Sequence, residues 1–241
     1  MKINFYRNYP TPTIVNKNKD KTSFTGNTIN CYDTTEFLRD DFDWQGFSHY
    51  INNFYKDTPK VNVVSYACSN GKETYSLALV LKTNLRQNVN KFLPIIAKDI
   101  DKTNILKAKI GRYKINNFEA NKIDKAGDFH LSRHLEIIDD GLEKYAFVKN
   151  SLKNIVNFSV ADITKDIDSI PTQNTVLLCR NFWGYLTGKD QLSLIDNLSQ
   201  RLDKTCLIAI GSFDKAYGIN KVLMSKGFIE TEIPNLLKKL K

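Results

Sequence analysis

A chain of 241 residues, 41% hydrophobic and 25% charged, is long enough to bury one sizeable core, and its balance excludes a disordered or collagen-like polymer. Lysine and arginine total 35 against 26 acids, a net charge of +9, yet the basic residues are mostly lysines scattered among asparagines, so nucleic acid is not favoured as a partner. Apolar runs such as Val176–Cys179 and Cys206–Ile210 are far too short to cross a bilayer, and the opening MKINFYRNYP carries no continuous apolar region of the secretory kind. Cys31, Cys68, Cys179 and Cys206 form no CxxC pair, which points to a reduced, cytoplasmic protein without membrane insertion.

Residues 1–30 are polar and show no period, so they are expected to form an extended N-terminal arm, with residues 31–241 as the folded domain. Over 33–54, Phe37, Leu38, Phe42, Phe47, Tyr50 and Ile51 recur at helical spacing, with Asp33 or Thr34 as cap. Strands then alternate with helices. Val61–Tyr66 is a valine-rich strand, Glu73–Leu85 a helix, Phe92–Ala97 a second strand and Thr103–Ile110 a second helix. Residues 112–150 are mixed and charged without a clean period. His130 and His134, four apart, lack partners at metal spacing, and no metal is expected.

Ile155–Val160 and Thr175–Cys179 follow as strands, the latter apolar enough to be central. Thr187–Leu202 reads as a helix capped by Thr187, burying Leu192, Ile195, Leu198 and Leu202 with Gln191 towards solvent. Cys206–Ile210 is a strand, Ile219–Lys226 a helix, and Phe228–Ile233 a last, antiparallel strand; LLKKLK ends the chain as a short basic patch. The alternation predicts an α/β fold: a Rossmann-like, mostly parallel sheet with helices on both faces.

Ligands bind such sheets beyond the carboxyl ends of the strands, so the residues after each strand are the useful ones. ACSNGKETYS (67–76) has small residues at Ala67, Ser69 and Gly71 that let backbone approach a ligand, but it is neither GxGxxG nor a Walker loop. Glu73 lies in the first turn of its helix, where the dipole alone favours a carboxylate. Asp99 and Asp101 end the second strand, where an acid either holds a ribose diol or caps the next helix. Arg180 and Asn181 directly follow the apolar strand, with Trp183 and Tyr185 beyond them.

Five segments in order, TTEFLRD, ACSNGKETYSLAL, AKDIDKTNILKAKIGRY, VNFSVADI and CRNFWGYL, resemble the CheR family of S-adenosylmethionine-dependent glutamate methyltransferases of chemotaxis receptors, over about Asp33 to Ser212. The resemblance implies a class I methyltransferase fold with S-adenosyl-L-methionine as cofactor and a protein acceptor bearing glutamate side chains. It implies that Arg39, with Thr35 and Asp33 beside it, lies at the methyl donor and the substrate carboxylate. Glu73 would bind the donor's α-ammonium and Asp99 its ribose, Asp162 and Ile163 would contact adenine, Arg180 and Asn181 would line the pocket, and Tyr185 would stand over the transferred methyl.

Several positions depart from the family pattern. Lys72 and Thr74 replace a Glu and a Pro, Asp33 and Asp162 each replace an Asn, Gly184 is small, and GSFDK stands where the family has G-H-S-E. About thirty polar residues precede the match, where the family has a helical domain. Two further readings stay open: a catalytically silent donor-binding module, and a methyltransferase acting on a small molecule or nucleic acid. For Arg39 the alternative to a catalytic role is an ion pair with Asp40, Asp41 or Asp43 on a surface helix.

Overall fold

The computed structural model describes residues 35–125 and 133–240. The predicted arm and Asp33, Thr34 and His130 lie outside the described residues. Eight helices and ten strands follow in chain order among those described: α1 (Trp44–Phe54), β1 (Asn62–Tyr66), α2 (Lys72–Leu85), β2 (Ile95–Asp99), α3 (Lys102–Ile110), β3 (Arg112–Ile115), α4 (Asn117–Lys125), β4 (Leu135–Asp139), β5 (Lys144–Val148), α5 (Asn150–Lys153), β6 (Val156–Val160), β7 (Thr175–Cys179), α6 (Gly188–Arg201), β8 (Leu207–Ile210), α7 (Ser212–Ala216), α8 (Ile219–Ser225), β9 (Phe228–Glu230) and β10 (Leu236–Lys239).

The main sheet has the order β6-β2-β1-β7-β8-β10-β9. Its five strands β6, β2, β1, β7 and β8 run parallel, and β10 runs antiparallel to both its neighbours. The predicted Rossmann-like sheet is therefore present, and β7 is central, fully buried between β1 and β8. Alternate residues feed two cores, one on each face: Val63 and Leu178 join the cluster under α1 and α2, whereas Val64, Leu177 and Cys179 join the one under α6 and α8. Strand order reverses between β1 and β7, so their carboxyl ends open the crevice where this fold places ligands.

Several boundaries differ from the sequence reading. The first helix begins only at Trp44, because Asp43 accepts from the Gly46 amide at 2.8 Å and caps it there; residues 35–43 form turns instead. The featureless stretch 112–150 holds a three-stranded antiparallel sheet, β3-β5-β4, whose inward residues Tyr113, Ile115, Leu135, Ala146 and Val148 are buried. β2 runs to Asp99, two residues past the predicted end. The antiparallel strand is β10, built from the LLKKLK tail, where Lys239 donates to the Lys226 carbonyl at 2.8 Å.

Thr187 caps α6 as predicted, accepting from the Asp190 amide at 3.2 Å. The apolar stripe is shifted, however. Leu194 is buried and Leu192 exposed, and Gln191 donates to the Trp183 carbonyl at 2.8 Å instead of facing solvent.

Candidate functional site

The β1–α2 turn is bent by three left-handed residues, Ala67 (φ 52°), Ser69 (φ 49°) and Gly71 (φ 89°). Only glycine suits position 71, since a Cβ there would lie 2.8 Å from the Ala108 Cβ and 3.0 Å from the Phe158 ring. The buried Asp99 carboxylate ties this turn to the next, accepting from the Ser69 amide at 2.7 Å and the Asp101 amide at 2.9 Å. Asp101 does the capping, accepting from the Thr103 amide at 2.7 Å, so Asp99 is not the cap of this helix. Val160 pairs in register with Asp99, and Val160 and Ile100 are 51% and 46% exposed, an apolar shelf beside a buried acid.

On the other side of the turn stands a chain of four charges. The Arg180 side chain is fully buried; its Nη1 donates to Glu73 Oε2 at 2.7 Å and its Nη2 to Asp41 Oδ1 at 3.0 Å. The guanidinium lies 4.3 Å from the Phe42 ring centroid and 5.7 Å from that of Trp44. Arg39 Nε donates to the same Asp41 oxygen at 3.2 Å.

Hydrogen bonds fold residues 38–44 back over the sheet's rim. The Leu38 amide donates to Ser76 Oγ at 2.8 Å, Ser212 Oγ to the Asp41 carbonyl at 3.2 Å, and Trp44 Nε1 to the Arg39 carbonyl at 3.0 Å. Arg39 thus has an aspartate partner, as its alternative reading held, but in a turn above Arg180 and not on a surface helix.

The electrostatics follow from this packing. Burial raises the Glu73 pKa, and the Arg180 and Arg39 charges only partly offset it. For Asp41 burial also pulls upward, but the Arg180 and Arg39 charges and hydrogen bonds win and hold it below the ordinary carboxylate range. The Arg180 Nε is buried without a partner among the described residues.

The loop after β7 is fixed from beneath by Asp214. This buried carboxylate accepts from the Asn181 amide at 2.6 Å, the Gly211 amide at 2.8 Å and the Trp183 amide at 3.3 Å. Burial pushes its pKa up to about 6, against the pull of those amides. Asn181 is left-handed at φ 58°, and its Oδ1 would lie 1.9 Å from a Cβ at position 211, so residue 211 must be glycine. Tyr185 is 43% exposed on the helical turn Trp183–Tyr185. Next to it, Gly184 faces Tyr217, whose ring packs edge-on against Phe213 with centroids 5.0 Å apart.

Of the residues picked from sequence, the fold gathers Arg39, Glu73 and Arg180 into one cluster and puts Asp99 across the β1 turn from it. Thr35 is half-buried at the start of the described chain. Asn181 presents backbone to Asp214. Asp162 caps its own turn through the Thr164 amide and hydroxyl at 3.0 and 2.7 Å, and Ile163 is buried in the second core.

Sequence reasoning named Asp41 only as one of three surface partners for Arg39, without its link to Arg180, and missed the aromatic cover Phe42 and Trp44, the shelf Ile100 and Val160, and Asp214. Asp41 had one visible signal, two consecutive acids directly after Arg39.

A reversing parallel sheet, a small-residue turn, an acid at the end of the second strand and two arginines beside that turn are the features of an α/β domain built for a nucleoside-type cofactor. The model of the CheR methyltransferase SAM-binding domain matches residues 33–227, and the chain belongs to that family. S-adenosylmethionine is accordingly its cofactor, and the residues present fit it: an apolar shelf, a buried acid and a pair of guanidiniums lie around one turn.

The chain is 26% identical over 180 residues to a chemotaxis protein methyltransferase of Campylobacter jejuni, covering 75% of this chain and 63% of that one. It is 24% identical over 163 residues to one from Borreliella burgdorferi (67% and 55%), and 21% over 171 residues to chemotaxis protein methyltransferase 2 of Vibrio cholerae (70% and 56%). The chain thus spans between 55% and 63% of the length of these curated relatives. No described helix is long and apolar enough to cross a membrane.

Proposed function

We propose that residues 31–241 form a cytoplasmic methyltransferase domain that moves a methyl group from S-adenosylmethionine to a glutamate carboxylate on a protein, with a chemotaxis protein as the acceptor suggested by its relatives' names and a receptor as the one the family resemblance implies. The observation that carries this reading is the pair Arg39 and Arg180 converging on one carboxylate oxygen beside Glu73. In this reading Glu73 takes the cofactor's ammonium, Asp99 its ribose, and Ile100 and Val160 flank the adenine, with Asp162 and Ile163 beyond. Thr35 and Asn181 complete the wall.

The bound cofactor supplies a methyl already activated on a sulfonium. A glutamate is ionised at neutral pH, so no general base is required, and none of the residues in the cluster is asked to remove a proton. Alignment supplies several kcal/mol of the barrier instead. Arg39 presents a planar fork to the attacking carboxylate, Tyr185 orients it by its hydroxyl, and Phe42 and Trp44 keep water from the buried guanidinium.

The test is transfer of a radiolabelled methyl to protein in a cell extract, followed by alkaline treatment. Volatile methanol identifies a carboxyl ester. A base-stable label assigns another acceptor, and no label with retained cofactor binding assigns a silent module.

A further inference from the structure

We propose that Asp41 is a resident carboxylate that occupies, from within the chain, the place where an incoming carboxylate takes the Arg39 and Arg180 guanidiniums, so that a carboxylate ligand must displace it to bind fully. The proposal rests on the reading that this site takes S-adenosylmethionine.

The first argument is stereochemical. Two guanidiniums aim at a single oxygen, Asp41 Oδ1, from 3.2 and 3.0 Å. Arginine presents forked donors suited to a carboxylate, and two arginines sharing one oxygen is the pattern of a bound anion more than of a simple surface pair. The second is the contrast in placement. The Arg180 side chain is wholly buried and held by Glu73 on its other arm, whereas the Asp41 side chain is about one-quarter exposed. The fixed member is the arginine, and the member with a path outward is the aspartate.

The third argument is tethering. Asp41 sits in the turns before α1, where Ser212 Oγ donates to its carbonyl at 3.2 Å and the buried Leu38, Phe42 and Trp44 anchor the backbone on either side, so only its side chain needs to move. Its side chain can swing without unfolding a helix or strand. Charge gives the fourth. Arg39, Asp41, Arg180 and Glu73 sum to zero, so an added carboxylate meets no net attraction while Asp41 stays in place. Once Asp41 moves to water, the newcomer inherits both guanidiniums, and the two ion pairs that Asp41 gives up are the cost that the ligand has to offset.

The incoming carboxylate has two sources: the amino-acid end of the cofactor, or the glutamate acceptor. The experiment separates them with three defined probes measured by calorimetry on the full chain and on Asp41→Asn. S-adenosylhomocysteine carries the cofactor carboxylate. 5′-Methylthioadenosine has the adenine, ribose and thioether but no amino-acid end. Glutarate, added to protein saturated with 5′-methylthioadenosine, represents the acceptor.

The expected result is a gain of about tenfold or more for a carboxylate probe in the variant, with 5′-methylthioadenosine unchanged, since the two bonds from Arg39 and Arg180 to residue 41 no longer join opposite charges. A gain for S-adenosylhomocysteine assigns the donor end, and a gain for glutarate assigns the acceptor side. Unchanged or weakened binding of both carboxylates overturns the proposal and makes Asp41 a structural or ammonium-binding group. An equal gain for all three ligands overturns it too.

The 5′-methylthioadenosine affinity also serves as the check that the variant is folded, and Asp41→Ser, which keeps a short polar side chain, repeats the test. If the wild-type chain binds neither nucleoside, the cofactor reading itself fails. If it binds both and the variant shows no carboxylate gain, only the role of Asp41 fails.

Discussion

Replacing Asp99 with alanine should do two things at once, and the structure allows them to be separated. The carboxylate is buried and accepts from the Ser69 and Asp101 amides at 2.7 and 2.9 Å. Alanine leaves both amides without their acceptor, and at about 1–2 kcal/mol each the fold should lose about 2–4 kcal/mol, read as a lower urea midpoint. Cofactor affinity should fall by a further 1–3 kcal/mol or so, because the ribose hydroxyls lose a charged acceptor.

Asparagine is the discriminating variant. It keeps one acceptor oxygen and the shape, but presents an amide NH₂ to one of the two backbone donors and carries no charge. Its stability should fall between wild type and alanine, while S-adenosylhomocysteine binding drops nearly as far as in alanine. Calorimetry on folded protein at 25 °C, beside urea unfolding, measures both. Wild-type affinity in folded Asp99→Ala would refute the ribose role, and unchanged stability in that variant would refute the part assigned to the two amides.

Four further outcomes are expected. Arg39→Ala should cut methyl transfer by a hundredfold or so while changing S-adenosylhomocysteine affinity far less, and Arg39→Lys should not restore it, since an ammonium lacks the planar fork; equal turnover in wild type and alanine variant would leave Arg39 a mere partner of Asp41. Lys72 and Glu119 form a buried pair at 2.8 Å, so Lys72→Met should cost about 3–5 kcal/mol in urea unfolding and the double variant with Glu119→Leu should recover most of it. Gly71→Ala should lose more than about 1 kcal/mol and weaken S-adenosylhomocysteine binding, because φ is 89° and the added carbon meets Ala108 at 2.8 Å. Asp214 has a folded pKa of about 6, above its ordinary value of 3.8, so its contribution is fully present below about pH 4 and is lost as pH rises to about 6; over that window wild type should lose about 3 kcal/mol relative to Asp214→Asn, and parallel pH profiles would show that the carboxyl does not titrate there.

The parallel sheet was legible because its strands are short apolar runs, and Val176–Cys179, buried at every position, was the plainest of them. The accessory sheet was hidden by its exposed face. RYKI alternates with charged Arg112 and Lys114 outward, and LEIID turns Glu136 and Ile138 outward, so no apolar run or clean period marks either strand. The tail misled for the same reason: LLKK carries a strand whose lysines look like a solvent patch, although Lys239 ends on a carbonyl.

In the site, Glu73, Asp99 and Arg180 were legible because each follows a strand. The link from Asp41 to Arg180, and the part of Asp214, were not. One acts through a turn that crosses above the sheet, the other from below the loop it supports, and neither path follows from local spacing.

The departures from the family pattern also change meaning once their neighbours are known. Lys72 puts a cation in the interior, which would be costly alone, but Glu119 of α4 neutralises it at 2.8 Å, and the Phe37 and Tyr113 rings each lie 5.8 Å from the ammonium. Tyr113 in turn donates to the Asn70 carbonyl at 2.6 Å, inside the cofactor turn. The altered residue thus joins that turn to the accessory sheet and α4 without disturbing the left-handed path through Ala67, Ser69 and Gly71.

Gly184 and Phe213 behave the same way. A side chain at 184 would begin 3.1 Å from the Tyr217 ring, which is itself held against Phe213, so the small residue and the large one occupy a shared space. Asp214, in the GSFDK segment that departs from the family pattern, reaches three amides of the loops around it. What these changes alter is the packing behind and beside the crevice. The left-handed path through Ala67, Ser69 and Gly71, the buried Asp99 and the two guanidiniums on Asp41 are set by residues these changes leave in place.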